Sequence, residues 1–453
     1  MTNDFARYRS FLVLGMARSG VAASGLLAAH GHAVTVFDDN AEVLAKFAMT
    51  DVARQFGDRI AVASAEGMPA AVEACDCLVV SPGVPLENPF IRHARRAGKP
   101  VIGEIEVAAH YTRATIVGVT GTNGKSTTVS VIGEILKAAG DDVVVAGNIG
   151  TPVCDVLRER DPRTLVLELS SFQLDTTDTF RSDVAVLLNV TPDHLDRYHH
   201  SFEEYAASKA RILRHATATT RYVYNREDAV AADLAAQTSA RPVPFSSSRR
   251  LDEGVWFEDN AIVRGEGGAR EVVLPRAEFT PVGVHNLENA LAAVGAATAL
   301  GVPLEPMRAA LRSYRPLPHR MEPVRVLDGV SYINDSKATN VDATVKSLAS
   351  IEGPSIVILG GRDKEGNFAA LLPHLGRVRR ALLIGEAAAV IRRALEGHAD
   401  MTDARDMEDA VRIARDIARA GDTVLLAPAC ASFDMFKNYQ ERGDVFRACV
   451  NRL

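Results

Sequence analysis

Residues Thr120-Gly121-Thr122-Asn123-Gly124-Lys125-Ser126-Thr127 stand between an apolar run, Thr115–Val119, and a helix-like stretch, Thr128–Ala138. A loop of this kind works only between the end of a buried parallel strand and the start of a helix, so it commits the surrounding chain to an α/β layer. The glycines let backbone N–H groups turn inward around phosphate oxygens, and the helix dipole adds a favourable field. Lys125 can reach the β/γ-phosphates of a nucleotide, and the Ser126 hydroxyl suits Mg²⁺. The strict phosphate-loop pattern places a glycine where this chain has Val119, so the loop is a variant.

The same alternation of strand-like and helix-like stretches extends almost from end to end, and 453 residues exceed one ordinary core. Three α/β units are expected. The first has a strand at Phe11–Leu14, a helix over Ala22–His30 and a second strand, Ala33–Phe37, ending at Asp38. The second opens at Thr115. The third begins near Val330–Asn334 and continues through Ser355–Leu359 and Thr423–Leu426. Arg241–Arg250, rich in Pro, Ser and Arg, interrupts the rhythm. Short strand candidates follow at Val255–Glu258, Ala261–Arg264 and Glu271–Leu274, with turn chemistry at Asp259-Asn260 and Gly265–Gly268, and predict a small antiparallel patch on the middle domain. Boundaries are expected near His110–Arg113 and near Leu317–His319, where Pro316 and Pro318 stiffen a hinge. The domains expected are therefore 1–112, 113–316 and 317–453.

Side chains at the carboxyl ends of parallel strands converge on a ligand crevice. Thr164–Leu167 reads as a buried strand ending in Glu168, which could hold a metal bound at Ser126. Val184–Leu188 reads as another, followed by Asp193-His194-Leu195-Asp196; His194 is either a metal ligand or a helix-start residue. Ser201–Glu204 resembles a capping box, which predicts a helix over Phe202–Arg214 with Lys209 as a solvated surface charge.

Near the amino terminus, Gly15-Met16-Ala17-Arg18-Ser19-Gly20 is a G-x-A-x-x-G variant, with Asp38 closing the next strand. It reads as a dinucleotide turn or as a plain tight turn in a Rossmann-like layer. Ala17 stands where a glycine would let a backbone approach pyrophosphate closely.

The formal charge of −6 argues against non-specific binding of nucleic acid or anionic membrane, since both require a basic face. Cys75, Cys77, Cys154, Cys430 and Cys449 are odd in number and scattered, which favours free thiols and a reducing compartment over disulfides or a zinc site. Phe11–Leu14 is too short for a signal peptide or a membrane span, and no other run approaches spanning length. A cytoplasmic monomer is expected.

Taken together, these motifs resemble the ATP-dependent Mur ligases. Thr120–Thr127 is similar to that family's phosphate loop, Glu168-Leu169-Ser170-Ser171-Phe172-Gln173-Leu174 to its acidic strand, and His194 with Lys209 to its metal region. His285-Asn286-x-x-Asn289-x-x-Ala292 resembles its adenine-side motif. Asn334-Asp335-Ser336-Lys337-Ala338-Thr339-Asn340 and Ala427-Pro428-Ala429-Cys430-Ala431-Ser432-Phe433-Asp434 resemble two loops of its carboxy-terminal domain. The Ser-Ser-Phe-Gln-Leu segment and the run Ser432–Gly443 are similar to the branch that adds D-glutamate. There is no Asp-Asn-Pro-Arg motif of the branch that adds a diamino acid.

The resemblance implies an amide-forming ligase in peptidoglycan precursor synthesis, joining UDP-N-acetylmuramoyl-L-alanine to D-glutamate with ATP and two Mg²⁺ ions. It implies nucleotide contacts from Gly121, Thr122, Asn123, Gly124, Lys125, Ser126, Thr127, Asn286, Arg320 and Asp335. Metal contacts come from Ser126, Glu168, His194 and a Lys209 carrying CO₂ as a carbamate, and Lys125, Glu168, His194 and Lys209 form the catalytic set. Lys337, Thr339, Lys364, Ser432, Phe433 and Tyr439 are implied around D-glutamate, although Phe433 and Tyr439 depart from the residues expected there. For the amino-terminal domain it implies a uridine-diphosphate site at Ala17, Arg18, Asp38, Ser81, Gly83 and Asn148, with NAD the alternative. Substrates on three domains imply closure about the Pro316–Pro318 hinge.

Overall fold

The computed structural model describes residues 4–281, 283–364 and 366–453. Three sheets organise it. The first is wholly parallel, in the order Ile60–Val62, Ala33–Phe37, Ser10–Leu14, Cys77–Val80, Val101–Gly103. Ser10–Leu14, at its centre, is buried at four of five positions, as a strand covered on both faces must be. The helix after it, Arg18–Ala29, begins four residues earlier than Ala22–His30 predicts. Gly20 is required there, because a Cβ would lie 1.9 Å from the Gly15 carbonyl oxygen.

The central sheet has nine strands. Seven consecutive strands run parallel, in the order Gly254–Glu258, Arg241–Ser246, Arg221–Asn225, Val184–Leu187, Thr115–Thr120, Thr164–Glu168, Val143–Gly147. Ala261–Glu266 and Ala269–Pro275 extend this sheet beyond Gly254–Glu258, and the three form the expected antiparallel patch. Arg241–Arg250 corrects the sequence reading, since Arg241–Ser246 is itself a strand. Its two prolines alternate, opposite Tyr222 and Tyr224, so both missing N–H groups face the same side. On that side Gly254–Glu258 pairs only with Phe245 and Ser246.

The carboxy-terminal sheet runs Glu322–Leu327, Val330–Asn334, Thr423–Leu426, Ser355–Gly360, Val378–Ile384, Met401–Asp403, with only the first strand antiparallel.

One hydrophobic cluster passes from the first sheet into the central one, joining Leu26 and Leu27 to Ile105, Val156, Leu157, Leu165 and Leu167. The carboxy-terminal sheet keeps separate clusters on its two faces. All five cysteines are free and buried. No helix among the described residues is long and apolar enough to cross a membrane.

Candidate active site

The loop after Thr115–Thr120 turns directly into the helix Lys125–Ala138, one turn earlier than Thr128 predicts. Gly124 sits at the helix start with φ +88°, and a Cβ there would lie 2.2 Å from Asn289 Oδ1. Only glycine fits. The Lys125 ammonium folds back over the loop and donates to the carbonyls of Gly121 at 2.8 Å and Thr122 at 2.7 Å.

Glu168 ends its strand beside this loop and is buried. Oε1 accepts from the Asn148 amide at 2.8 Å, while Oε2 is buried with no hydrogen-bond partner. Burial opposes its charge, but the Lys125 ammonium, Ser126 and Asn148 outweigh that and hold the carboxyl below its usual range. An ionised, under-satisfied carboxylate beside a serine hydroxyl is a hard-oxygen donor set, the kind that fits Mg²⁺.

His194 takes a left-handed backbone (φ 54°) and opens a single 3₁₀ turn, Leu195–Arg197, so it does start a helical turn. Burial pushes its imidazole down to about 4, which leaves a neutral ring able to bind metal.

Lys209 overturns the surface-charge reading. Its helix, Phe202–Ala210, packs against Ser171–Leu174, and the lysine is only 2% exposed. The predicted helix to Arg214 gives way to a 3₁₀ turn at Arg211–Leu213. Lys209 donates to the Gly121 carbonyl at 2.8 Å and lies over the Tyr205 ring at 4.6 Å. Burial, followed by repulsion from Lys125, lowers its pKa well below the lysine range. That direction favours the neutral amine, the form that reacts with electrophiles.

The carboxy-terminal domain supplies the opposite wall of the same cleft: Arg320, Asp335, Lys337 and Thr339 line it together with Asn286 from the helix Val284–Ala299. Asp335 accepts from the Met321 N–H at 3.3 Å and from the Ser347 hydroxyl. Lys337 lies over the Tyr439 ring at 4.4 Å, and burial brings its pKa down to about 7. Lys364 bonds Asp193 at 2.9 Å at the cleft edge. Ser432 is buried outside the cleft lining, and Phe433 is 64% exposed.

In the first domain, Met16 N–H donates to Asp38 Oδ2 at 2.7 Å and Ser81 Oγ to the Gly15 carbonyl at 2.7 Å, so Asp38 and Ser81 brace the glycine turn. Ala17 precedes the helix without a side-chain cap. Gly83 has open space where a Cβ would be. Arg18 donates to the Gly150 carbonyl, two residues from Asn148, which links this turn to the central cleft.

Comparison with known proteins decides the family. Three family models match in order: the Mur ligase MurD-like N-terminal domain at 9–103, the Mur ligase middle domain at 119–297, and the Mur ligase glutamate ligase domain at 319–430. A UDP-N-acetylmuramoylalanine–D-glutamate ligase of Pelotomaculum thermopropionicum is 43% identical over 457 residues, covering 100% of this chain and 99% of its own. One from Acidobacterium capsulatum is 44% identical, covering 98% and 96%.

The chain is a Mur ligase.

A pseudomurein peptide ligase type C from Methanothermus fervidus shares the fold, with a TM-score of 0.63 at 17% identity over 98% of this chain and 99% of that one. As a Mur ligase the protein is an ATP-dependent peptide ligase that uses ATP and Mg²⁺.

Several cleft residues escape sequence reasoning. Asp193, Tyr205, Asn340 and Lys346 all line this Mur ligase's cleft. Asp193 had a usable signal, its place beside His194 after a buried strand. Tyr205 had none, because its meeting with Thr122 at 3.1 Å depends on how a distant helix docks.

Proposed function

We propose that this Mur ligase joins UDP-N-acetylmuramoyl-L-alanine to D-glutamate, through the residue roles the resemblance implies. The observation that carries this reading is a single cleft walled by two domains, with the phosphate loop, Glu168, His194 and Lys209 on one side and Arg320, Asp335, Lys337 and Thr339 on the other.

A carboxylate is a poor acyl donor, because oxide would have to leave. Transfer of the γ-phosphoryl of ATP onto the carboxylate of UDP-N-acetylmuramoyl-L-alanine gives an acyl phosphate and ADP. The amine of D-glutamate, once deprotonated, attacks the acyl carbon; the C–O bond to phosphate breaks and inorganic phosphate departs with the electron pair. The loop amides and Lys125 stabilise charge on the transferring group. Ser126 and Glu168 would hold one Mg²⁺. His194 and the carbamate formed when the Lys209 amine adds CO₂ and releases a proton would hold a second. The ions supply charge neutralisation and Lewis acidity.

Asn286, Arg320 and Asp335 hold the nucleotide. Lys337, Thr339, Lys364, Ser432, Phe433 and Tyr439 surround D-glutamate. Ala17, Arg18, Asp38, Ser81, Gly83 and Asn148 take the uridine-diphosphate substrate. The domains are 1–112, 113–316 and 317–453, and the third closes on the second about Pro316–Pro318.

The test is phosphate release with ATP, Mg²⁺ and UDP-N-acetylmuramoyl-L-alanine, comparing D-glutamate, L-glutamate and no amino acid. Release that requires D-glutamate, with the coupled product found by mass, is expected. Release indifferent to the amino acid would refute the reading.

A further inference from the structure

Asp193 lies on the central domain but is bonded mainly to the carboxy-terminal one. Its Oδ1 accepts from the Lys364 ammonium at 2.9 Å and its Oδ2 from the Asn340 amide at 3.0 Å. Both side chains of the ion pair are largely buried, at 9% and 18% exposed. Neither orientation is accidental. Asn340 caps the helix Val341–Ala349, its Oδ1 accepting from the Ala343 N–H at 2.8 Å, which leaves its amide nitrogen to face Asp193. The His194 N–H donates to Asp193 Oδ1 at 3.0 Å, fixing the carboxylate from its own side.

A second contact runs parallel to this one. Asn123, within the phosphate loop, donates to Asp342 Oδ2 at 2.6 Å, and Asp342 lies in the first turn of the helix that Asn340 caps. The phosphate loop and Asp193, the partner of Lys364, therefore both meet the same short segment, 340–342.

Within this seam the ligase reading gives Asn123 to the nucleotide and Lys364 to the amino acid. The long Lys364 side chain has many rotamers, and fixing them before a ligand arrives improves affinity by several-fold to about tenfold. Its three N–H groups allow it to keep Asp193 while reaching a second carboxylate.

We propose that Asp193 is a positioning residue for the amino-acid subsite. It aims the Lys364 ammonium at the carboxylate of an incoming anionic amino acid. With Asn340 it seats the carboxy-terminal domain on the phosphate-loop domain, so that this subsite is complete only in the docked arrangement. The inference rests on the ligase reading for the identity of the amino acid, but the docking seam does not depend on it.

The experiment uses the full chain with Asp193→Asn, Asn340→Ala, Lys364→Met and the double variant Asp193→Asn/Lys364→Met. Asp193→Asn and Asn340→Ala should raise KM for D-glutamate about tenfold, while KM for ATP and the Mg²⁺ requirement stay within about twofold. Because Asp193 acts through Lys364, the double variant should be no worse in KM for D-glutamate than Lys364→Met alone. Additive losses would overturn the proposal. So would an Asp193→Asn variant whose Mg²⁺ requirement rises as much as its KM for D-glutamate, since Asp193 would then serve His194 instead. Small-angle scattering with an ATP analogue and UDP-N-acetylmuramoyl-L-alanine bound gives a readout independent of turnover: the wild-type particle should compact, Asp193→Asn and Asn340→Ala should compact less, and full compaction of both variants would overturn the docking role. A wild-type chain with no D-glutamate-dependent release would refute the ligase reading, and the scattering would still decide the seam.

Discussion

Asn148 donates its side-chain amide to Glu168 Oε1 at 2.8 Å, and the other oxygen of that carboxylate is left buried and unpartnered. The expected role of Asn148 is contact with the uridine-diphosphate substrate. Its position also makes it the outer support of the Mg²⁺ carboxylate. Asn148→Ala should raise the Mg²⁺ concentration for half-maximal activity by about 10- to 100-fold, the usual cost of removing such a support. Titration of activity against Mg²⁺ at saturating substrates checks this; an unchanged midpoint with only a raised KM for the UDP substrate would confine Asn148 to substrate binding.

Lys209→Ala should lower kcat by at least about 100-fold, the scale seen when one charge-stabilising group is lost. Far-UV circular dichroism should stay unchanged. Partial recovery with a short-chain carboxylate would identify the missing group as an anionic oxygen ligand. A fully active Ala variant would eliminate the carbamate.

Glu104 is fully enclosed where the first domain meets the helix Val153–Glu159. Its Oε1 accepts from the Cys154 N–H at 2.8 Å, its Oε2 has no partner, and burial raises its pKa from 4.5 to about 7. The folded protein thus keeps a proton that the unfolded chain loses above pH 4.5. Stability should fall as pH rises from about 4.5 to 7 and then level off, by up to about 3 kcal/mol. Glu104→Gln should abolish this loss, which urea midpoints at pH 5 and pH 8 would reveal.

Glu106, two residues on, has the opposite sign. It accepts the N–H groups of Asp178, Thr179 and Phe180 at 2.8, 2.9 and 3.0 Å. Burial opposes its charge, but bonds from His110, Thr179 and these amides prevail and bring it to about 2. Its contribution is complete above pH 4.5 and is lost as pH falls towards 2, again on the order of 3 kcal/mol. Glu106→Gln should lower the urea midpoint at pH 7 and flatten the acid limb of the stability curve.

The phosphate loop was legible because its requirements are local: glycines, one lysine and a strand before them. The strands Ala33–Phe37, Val330–Asn334 and Thr423–Leu426 were read to the residue for a similar reason, as β-branched or apolar runs bounded by turn residues. Lys209 was not legible as a buried residue. Its helix carries Glu203, Glu204 and Lys209 in nine residues, and only the docking of Tyr205 and Ser208 shows that one face is inside. Asp193 could be flagged by its neighbour His194, but its partner lies 171 residues away, and no local pattern encodes that meeting. Arg241–Ser246 was misread because composition says loop, whereas the spacing of its two prolines is what a strand end tolerates.

The cluster that joins Leu26 and Leu27 to Leu165 and Leu167 gives the three-domain chain two mechanical parts. Sliding the first domain over the second would open a continuous apolar seam to water, whereas the third meets its neighbour at the cleft through polar side chains that water can replace. Spectroscopic rulers placed on residues 46 and 137 should hold one distance throughout turnover, and a ruler between residues 137 and 392 should change. If the third domain closes as proposed, the first two serve as one fused anvil and the third as the arm that strikes it.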